Sequence, residues 1–449
     1  MKRTMRQMEV LGLTAAAVFA FAVGSAQAAT YEWSSTSSND WTVDTNWTAG
    51  NTPRVPPTGG SYAHRVNVTG TATLNYTSAQ GNTTYTGGRG LVLYNGSSVA
   101  IQGGSFTGLG DIISATQTAG ATATMTIAGG TYNSNRLDIG WYNSTGIFTI
   151  SSGQAAINDL HINTADPDAA LGMTGHGTLN LNGGTLSVDN IVTNHGSGSS
   201  TVNLNGGTLR AQQNNDTFIT SGAYGLRNLL VGEGGAKIDT NTFNVTIAKA
   251  LTPDGASTGG LTKSGTGTLT LSAANTFTGE TRITAATLAL SGAGALASET
   301  ITVDSDATLD VSGTTSSLLT LGSGQTLGGD GTVAGNLAFG SDAKLAFSAT
   351  LSYTGTSDIT FSNFSLSSIL GLDETAEVKT YTLIDGLVDF SSGISNVGYD
   401  ERDSIGGGKE AYFQEGSLQL VVIPEPGTIF LLTLGALAVG AVRRRRLRG

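Results

Sequence analysis

Few residues in this sequence could carry out covalent chemistry, and they lie far apart along the chain. The 449 residues include no cysteine and four histidines: His64, His161, His176 and His195. An active site needs several titratable groups that converge on one point. His176 and His195 both precede a glycine, but their spacing differs from the 23-residue repeat described below, so we do not expect them to stack. The sequence therefore favours a protein that is not an enzyme and that needs no cofactor.

One group of acidic residues has the spacing of a cation site. Asp304, Asp306 and Asp310 lie at even spacing, which on a single β-strand would direct all three to one face. Such carboxylates could hold Ca²⁺ weakly, although a solvated polar face is the more common meaning of this pattern. Residues 327–331 (LGGDG) are similar to part of a calcium-binding nonapeptide repeat, but in a single copy. Glycoside hydrolysis needs two carboxyls at a defined separation, and no such pair stands out. We therefore predict no metal site.

The composition predicts an all-β protein. The chain has 64 glycines, 7 prolines and only 12% charged residues, which suits many short strands joined by turns of small residues. The formal net charge is −11, and eight of the 22 Lys and Arg residues lie close to the two termini. The body of the chain is therefore more acidic than the whole, which argues against nucleic acid or an anionic membrane surface as a partner.

A near-repeat in residues 177–210 indicates how the strands are arranged. Residues 177–186 (GTLNLNGGTL) recur as 201–209 (TVNLNGGTL), with 23 residues between equivalent positions. The alternation of apolar and polar residues predicts half-buried strands, and Asn-Gly-Gly predicts a turn. Because so short a unit cannot bury its apolar face alone, we predict stacked copies in a β-solenoid, similar to a parallel β-helix. Asn182 and Asn205 would then form an asparagine ladder. A hairpin-rich β-sandwich is the alternative.

The N-terminus, residues 1–28, has the three parts of a secretory signal peptide. Lys2, Arg3 and Arg6 precede a short apolar run, and Ala26 and Ala28 occupy the −3 and −1 positions of a cleavage site after Ala28. These features predict export through the Sec machinery, with a helical membrane anchor as the alternative.

Residues 29–60 are rich in tryptophan. Trp33, Trp41 and Trp47 lie in this segment, which we interpret as an N-terminal cap that covers the open end of the solenoid. An exposed cluster of this kind could instead form a stacking platform for sugar rings.

Residues 61–260 continue the solenoid rungs, with turn signals at unequal intervals. Unequal intervals are expected when loops are inserted on one side of a solenoid, and the longest insertion is predicted near residues 163–169.

A second set of repeats occupies residues 261–348. Residues 261–279 (LTKSGTGTLTLSAANTFTG), followed by Thr287-Leu-Ala-Leu, resemble the autotransporter-associated β-strand repeat, and residues 324–336 resemble the segment that commonly follows it. The resemblance implies an extended β-helical segment and contributes no catalytic residue. Residues 349–422 are predicted to form a small β cap, with strands at 381–384 and 417–423.

The C-terminal segment, 423–449, has three parts. Pro424, Glu425 and Pro426 precede the apolar run 427–442, which is short for a transmembrane helix. A basic cluster follows and would stay in the cytoplasm: Arg443, Arg444, Arg445, Arg446 and Arg448.

This tripartite tail resembles the PEP-CTERM sorting signal. The resemblance implies that the single hydrophobic helix is a transient anchor in the inner membrane and that an exosortase processes the tail near the motif. Without the resemblance, the same residues would form a permanent anchor. We expect an exported, non-enzymatic adhesin or scaffold at the cell surface or in the extracellular matrix of a Gram-negative-type bacterium, with extracellular polysaccharide as a candidate partner. The alternative is a β-helical protein that binds or cleaves carbohydrate.

Overall fold

The computed structural model describes residues 91–426 apart from eight gaps, together with the strands between residues 30 and 85. The gaps are 94–95, 109–110, 114–119, 142, 165–174, 194–197, 221–225 and 348–349. The predicted signal peptide (1–28) and the apolar and basic parts of the tail (427–449) lie outside the described residues. The all-β prediction is confirmed.

Most strands are short and follow the alternating pattern of the sequence; β12 and β13, with 20 residues each, run through all three faces described below. The first twenty are β1 (Thr30–Trp33), β2 (Trp47–Ala49), β3 (Thr52–Pro53), β4 (Gly60–Tyr62), β5 (Arg65–Val68), β6 (Thr73–Tyr76), β7 (Asn82–Tyr85), β8 (Leu91–Leu93), β9 (Ser98–Ile101), β10 (Ser105–Gly108), β11 (Asp111–Ile113), β12 (Thr122–Trp141), β13 (Thr145–Thr164), β14 (Gly175–Leu181), β15 (Thr185–Val192), β16 (Gly198–Leu204), β17 (Thr208–Ala211), β18 (Asn215–Ile219), β19 (Asn228–Val231) and β20 (Ala236–Asp239).

The remaining strands continue in the same way. They are β21 (Val245–Ile247), β22 (Leu251–Pro253), β23 (Leu261–Ser264), β24 (Leu269–Leu271), β25 (Ala274–Asn275), β26 (Thr281–Ile283), β27 (Ala286–Gly292), β28 (Ala295–Leu296), β29 (Thr300–Val303), β30 (Ala307–Thr314), β31 (Leu318–Leu321), β32 (Thr326–Gly329), β33 (Thr332–Ala334), β34 (Asn336–Phe339), β35 (Lys344–Ala346), β36 (Leu351–Tyr353), β37 (Thr360–Phe361), β38 (Ile369–Leu370), β39 (Thr380–Asp385), β40 (Asp403–Gly406), β41 (Lys409–Gln414) and β42 (Leu418–Pro424). Two short 3₁₀ helices, Leu366–Ser368 and Tyr399–Glu401, lie among them.

Parallel pairing stacks these strands into a solenoid with three faces. Face 1 runs through β5, β8, β11, the last parts of β12, β13 and β15, and then β18, β21, β24, β27, β30, β33 and β36. Face 2 runs through β6, β9, the first parts of β12 and β13, and then β14, β16, β19 and β22. Face 3 runs through β4, β7, β10, the middle of β12 and β13, the first part of β15, and then β17, β20, β23, β26, β29, β32, β35 and β38.

Parallel pairing of strands that lie one rung apart confirms the predicted β-solenoid. It also excludes the hairpin-rich sandwich, whose neighbouring strands would be antiparallel.

The core is a column of inward-facing apolar side chains that stack from rung to rung. Leu179 is the in-register partner of Val202, and Leu181 is the partner of Leu204. All four are fully buried, and burying each such side chain contributes roughly 1.5–3 kcal/mol. A single rung exposes these residues above and below, so the stabilisation depends on the neighbouring rungs.

The outward-facing polar residues form ladders along the solenoid axis. Asn203 Nδ2 donates to Asn180 Oδ1 at 2.6 Å, and Asn180 Nδ2 donates to Thr149 Oγ1 at 3.3 Å. The asparagine ladder therefore lies two residues before the expected position. Asn205 Oδ1 instead accepts the backbone N–H of Gly234 in the next turn, at 2.8 Å.

The glycine pairs are required by the close approach of neighbouring turns. Gly184 has φ of +62°, and a Cβ on Gly183 would lie 2.2 Å from the carbonyl oxygen of Ser151. Side chains at these positions would separate the rungs.

The connections between strands differ in length. From face 2 to face 3, three residues (205–207) join β16 to β17, whereas seven (254–260) join β22 to β23. The longest insertion, expected near residues 163–169, falls largely on residues 165–174, which lie outside the described residues, so it stays a prediction.

A buried lysine holds a turn of the second repeat set. Lys263 lies at an inward position of β23 and is 0% exposed. Its Nζ donates to the carbonyl oxygens of Gly265, Gly267 and Ala285 at 2.7, 2.6 and 2.9 Å. Burial lowers the pKa of Lys263 to about 8, and the charge of Asp239 opposes this shift.

The C-terminal end closes the stack with antiparallel strands. Parallel pairing continues to β39 through β36, and β39, β42, β41 and β40 then pair antiparallel in that order. The strands predicted at 381–384 and 417–423 correspond to β39 and β42 and are confirmed. Phe361 and Phe364 in the last rungs are 4.7 Å apart between ring centroids, and Phe364 lies 5.8 Å from Phe413 on β41. These rings join the core of the solenoid to the cap.

Among the described residues, no helix combines the length and apolar character needed to cross a membrane. The predicted membrane segment, 427–442, lies outside them.

The stacked core and the outward ladder should differ sharply in their contribution to stability. Leu204→Ala should lower the unfolding free energy by about 3 kcal/mol, because it leaves a cavity between two rungs. The neighbouring outward change, Asn203→Ala, should cost less than about 1 kcal/mol because water replaces its hydrogen bond. Urea unfolding followed by circular dichroism measures both, and equal losses would contradict the stacked core.

Lys263 should make stability depend on pH in the alkaline range. The folded pKa, about 8, lies below the unfolded value of roughly 10.4, so the folded protein releases this proton at a lower pH. The charged amine therefore costs stability below pH 8, and that cost is relieved as the pH rises. Relative to Lys263→Met, the wild type should become more stable between about pH 8 and pH 10. If the stability of the wild type relative to Lys263→Met fell over this range, the three carbonyls would raise the pKa of Lys263 instead.

Candidate processing site at the C-terminal cap

The residues that could hold a metal ion do not converge. Across the described part of the chain, no three His, Asp or Glu side chains come together as ligands. Asp304 and Asp306 lie in the turn between β29 and β30, where Asp306 has φ of +61°, whereas Asp310 lies within β30. The expectation that all three occupy one strand is therefore wrong. Asp304 accepts from Arg282 at 3.0 Å, and Asp310 accepts from Ser312.

The two histidines in the described part of the chain lie on different strands, β13 and β14. His176 is the in-register partner of Ser199, and its Nδ1 lies 2.8 Å from Ser199 Oγ. His161 lies half-buried on β13. His64 and His195 are outside the described residues.

Two of the three N-terminal tryptophans are adjacent in the sheet. β1 and β2 pair antiparallel, with Trp33 directly opposite Trp47, and the other edge of β1 pairs parallel with β5. β1 therefore lies at the N-terminal end of face 1, and the β2–β3 hairpin follows it. Trp41 lies outside the described residues, as do Ala26, Ala28 and the arginine cluster at 443–446 and 448.

The sorting motif lies where the C-terminal cap ends. β42 is an interior strand of the cap, paired with β39 on one edge and with β41 on the other. Pro424 is the last residue of β42 and is the register partner of Lys409, the first residue of β41. The first residue of the motif is therefore part of the cap.

Glu425 is tied to the cap by its backbone and by its side chain. Its N–H donates to the carbonyl oxygen of Gly408 at 2.8 Å, and its Oε1 accepts from Ser404 Oγ at 3.1 Å. Glu425 is half-buried, whereas Pro426 is exposed. Glu425 is therefore the last described residue that hydrogen-bonds to the cap.

The turn that receives Glu425 is fixed by its own backbone and by a lysine. Gly406, Gly407 and Gly408 all have positive φ in the β40–β41 hairpin. Lys409 Nζ donates to the carbonyl oxygens of Glu374 and Ala376 at 2.6 and 2.7 Å, which anchors the hairpin to the preceding loop. Sequence reasoning did not identify Ser404 or Gly408 as partners of the motif, and the Gly-Gly-Gly run was the one available signal of a tight hairpin there.

The electrostatic environment of the cap is strongly acidic. Residues 349–426 contain 12 Asp and Glu and three Lys and Arg. Neighbouring groups lower the pKa of two carboxyls in the cap. Lys379 hydrogen-bonds to Glu377 and lowers the pKa of that carboxyl, and the Thr375 hydroxyl and amide lower the pKa of Asp373. Arg402 pairs with Glu410 across the β40–β41 hairpin.

Comparisons with known families agree with this geometry. Residues 422–446 match the PEP-CTERM protein-sorting motif, and residues 261–290 match the passenger-associated-transport-repeat. Both resemblances found in the sequence are confirmed. No curated protein and no solved structure matches the chain. A sorting motif, an autotransporter-type repeat and a β-solenoid together indicate an exported β-helical protein of the surface of a Gram-negative bacterium.

The contacts of β42 and Glu425 with the cap predict where the chain can be shortened without loss of stability. A chain that starts at residue 29 and ends at Pro426 should melt at the same temperature as one that keeps the tail, because every described cap contact is retained. A chain that ends at Ser417 loses β42, so β39 and β41 lose their shared partner. Its melting temperature should be lower by about 5 °C or more, measured by circular dichroism. Equal melting temperatures for the two shortened chains would contradict the assignment of β42 to the cap.

Proposed function

We propose that this chain, which carries a PEP-CTERM sorting motif and a passenger-associated transport repeat, is an exported scaffold or adhesin released from the inner membrane by an exosortase. The signal peptide (1–28) directs the chain to the Sec machinery. The apolar segment 427–442 then holds it in the membrane, with the arginine cluster in the cytoplasm and the solenoid outside. The carrying observation is that Pro424 and Glu425 of the motif are held by the cap, and that the apolar segment follows them directly in the sequence.

The acidic cap supports release as the outcome of processing. The cap lies next to the membrane segment in sequence, so it faces the outer side of the inner membrane while the tail is inserted. A surface with 12 acidic and three basic residues gains nothing from anionic lipid headgroups. Once the tail is cut, the segment 427–442 no longer holds the body, which moves to the cell surface or the extracellular matrix.

A scaffold role is supported by the way the polar side chains are used. Outward Asn, Thr and Ser residues hydrogen-bond along the axis, as in the Asn180–Asn203 and Ser98–Thr124 pairs. A few outward acidic side chains pair with single arginines, as in Arg210–Asp239 at 2.7 Å. These contacts stiffen a rod and present repeated polar rows. Such rows suit many weak contacts with extracellular polysaccharide or with neighbouring rods. We propose that the protein is not an enzyme.

The alternative function is carbohydrate binding at the N-terminal end. It is favoured by the in-register pair Trp33 and Trp47, since adjacent aromatic residues can stack on sugar rings. Affinity electrophoresis in gels that contain polysaccharide separates the two proposals. Loss of retardation in Trp33→Ala or Trp47→Ala would favour the lectin, and unchanged retardation would favour contacts along the rod. Release of reducing sugar by the wild type would contradict both.

The sorting proposal predicts where variants accumulate in a host that encodes an exosortase. Wild-type body should be recovered outside the cells, whereas Glu425→Gln should remain in the membrane fraction as full-length protein, at least about tenfold enriched there. Removal of the motif carboxylate should have this effect because the carboxylate defines the motif that the exosortase recognises.

Glu415→Gln is the matched control, since Glu415 is an exposed glutamate of the same cap. It should be released like the wild type. Release of Glu425→Gln, or release of the wild type in a strain without exosortase, would overturn the proposed processing.

A further inference from the structure

The last strand of the cap cannot be reached by a protease while the cap is folded. β42 has a hydrogen-bonded neighbour on each edge, and its register with β41 extends from Gln419 to Pro424. Val422 is 1% exposed, and its N–H donates to the carbonyl oxygen of Lys379 at 3.0 Å. Proteases bind their substrates as extended, unpaired backbone, so a cut within β42 would require this strand to leave both partners.

From these contacts we infer that the exosortase cut lies C-terminal to Glu425. Pro424 and Glu425 then stay on the mature protein and remain bound to the cap. The inference rests on the proposed function. Among the described residues, Glu425 is the last that the cap holds, through the Gly408 carbonyl and the Ser404 hydroxyl. Beyond it, Pro426 is exposed and donates no backbone hydrogen bond.

The position of the cut determines what remains on the body. In hydrolysis, the peptide C–N bond breaks, water adds its oxygen to the carbonyl carbon, and the departing amine takes a proton. A cut beyond Glu425 leaves a new carboxylate on the body and keeps every backbone contact of β42. A cut at or before the Pro424–Glu425 bond would instead remove the Glu425 amide from Gly408. The motif then has two uses in this chain, recognition before the cut and closure of the cap after it.

The test is the mass of the released body. Wild-type protein is produced with its exosortase, and the intact mass and the C-terminal peptide of the extracellular form are measured. The inference predicts C-termini at Glu425 or later in all of the released protein. A C-terminus at Pro424 or earlier overturns the inference but leaves exosortase processing intact. Absence of any cut overturns the proposed function and the inference together.

A second measurement tests whether the folded cap protects β42 from proteolysis. Purified protein without its signal peptide is treated briefly with subtilisin, and the first cuts in the tail are mapped. Val422→Asp places an unpaired charge in the interior of the cap and should allow cuts within residues 418–425, at least about tenfold faster than in the wild type.

Gln419→Asp adds the same charge at a half-buried, outward position of β42 and serves as the control. It should keep the wild-type pattern, with cuts confined to residues after Pro426. Equal cutting within β42 in all three proteins would overturn the inference.

Discussion

The structure depends on the in-register stacking of each rung on the next. A rung of about 23 residues has an apolar inner side that it cannot bury alone, as Leu179 and Leu181 show by packing against Val202 and Leu204. Stability is therefore shared between neighbours along the axis, as in other repeat proteins. The same constraint explains the composition. Small residues at the turns, such as Gly183, allow the backbones of successive rungs to approach closely.

A stack of this kind has two open ends, and its ends are where the chain departs from the repeat. At the C-terminus the parallel sheet gives way to four antiparallel strands, and Phe364 and Phe413 connect the last rungs to the cap. The match to the sorting motif begins at residue 422, within the last strand of this cap. In the function proposed above, the tail is removed and the cap stays on the solenoid.

Much of the fold could be predicted from sequence because its determinants are local and repeated. Alternation in residues 177–186 and 201–209, with the Asn-Gly-Gly turns, was enough to predict parallel rungs. The errors arose where a turn or a distant partner decides the geometry. The left-handed backbone at Asp306 separates carboxylates that their even-numbered spacing had placed on one strand. The ladder formed at Asn180 and Asn203 rather than at Asn182 and Asn205, because the turn gives Asn205 a backbone partner. The contact of Ser404 with Glu425 joins residues 21 apart and has no signature in either segment.

The register between rungs is the central claim, and the absence of cysteine from the chain allows a direct measurement of it. Asn180→Cys combined with Asn203→Cys places two thiols at register partners on adjacent strands, within the Cα separation that a disulfide requires. Asn180→Cys with Leu230→Cys skips one rung, so its Cα atoms lie roughly 9.6 Å apart, too far for a bridge. Oxidation followed by non-reducing mass spectrometry should give an intramolecular disulfide in the first protein and none in the second. Bridging in the second protein, or failure in the first, would contradict the stacked solenoid.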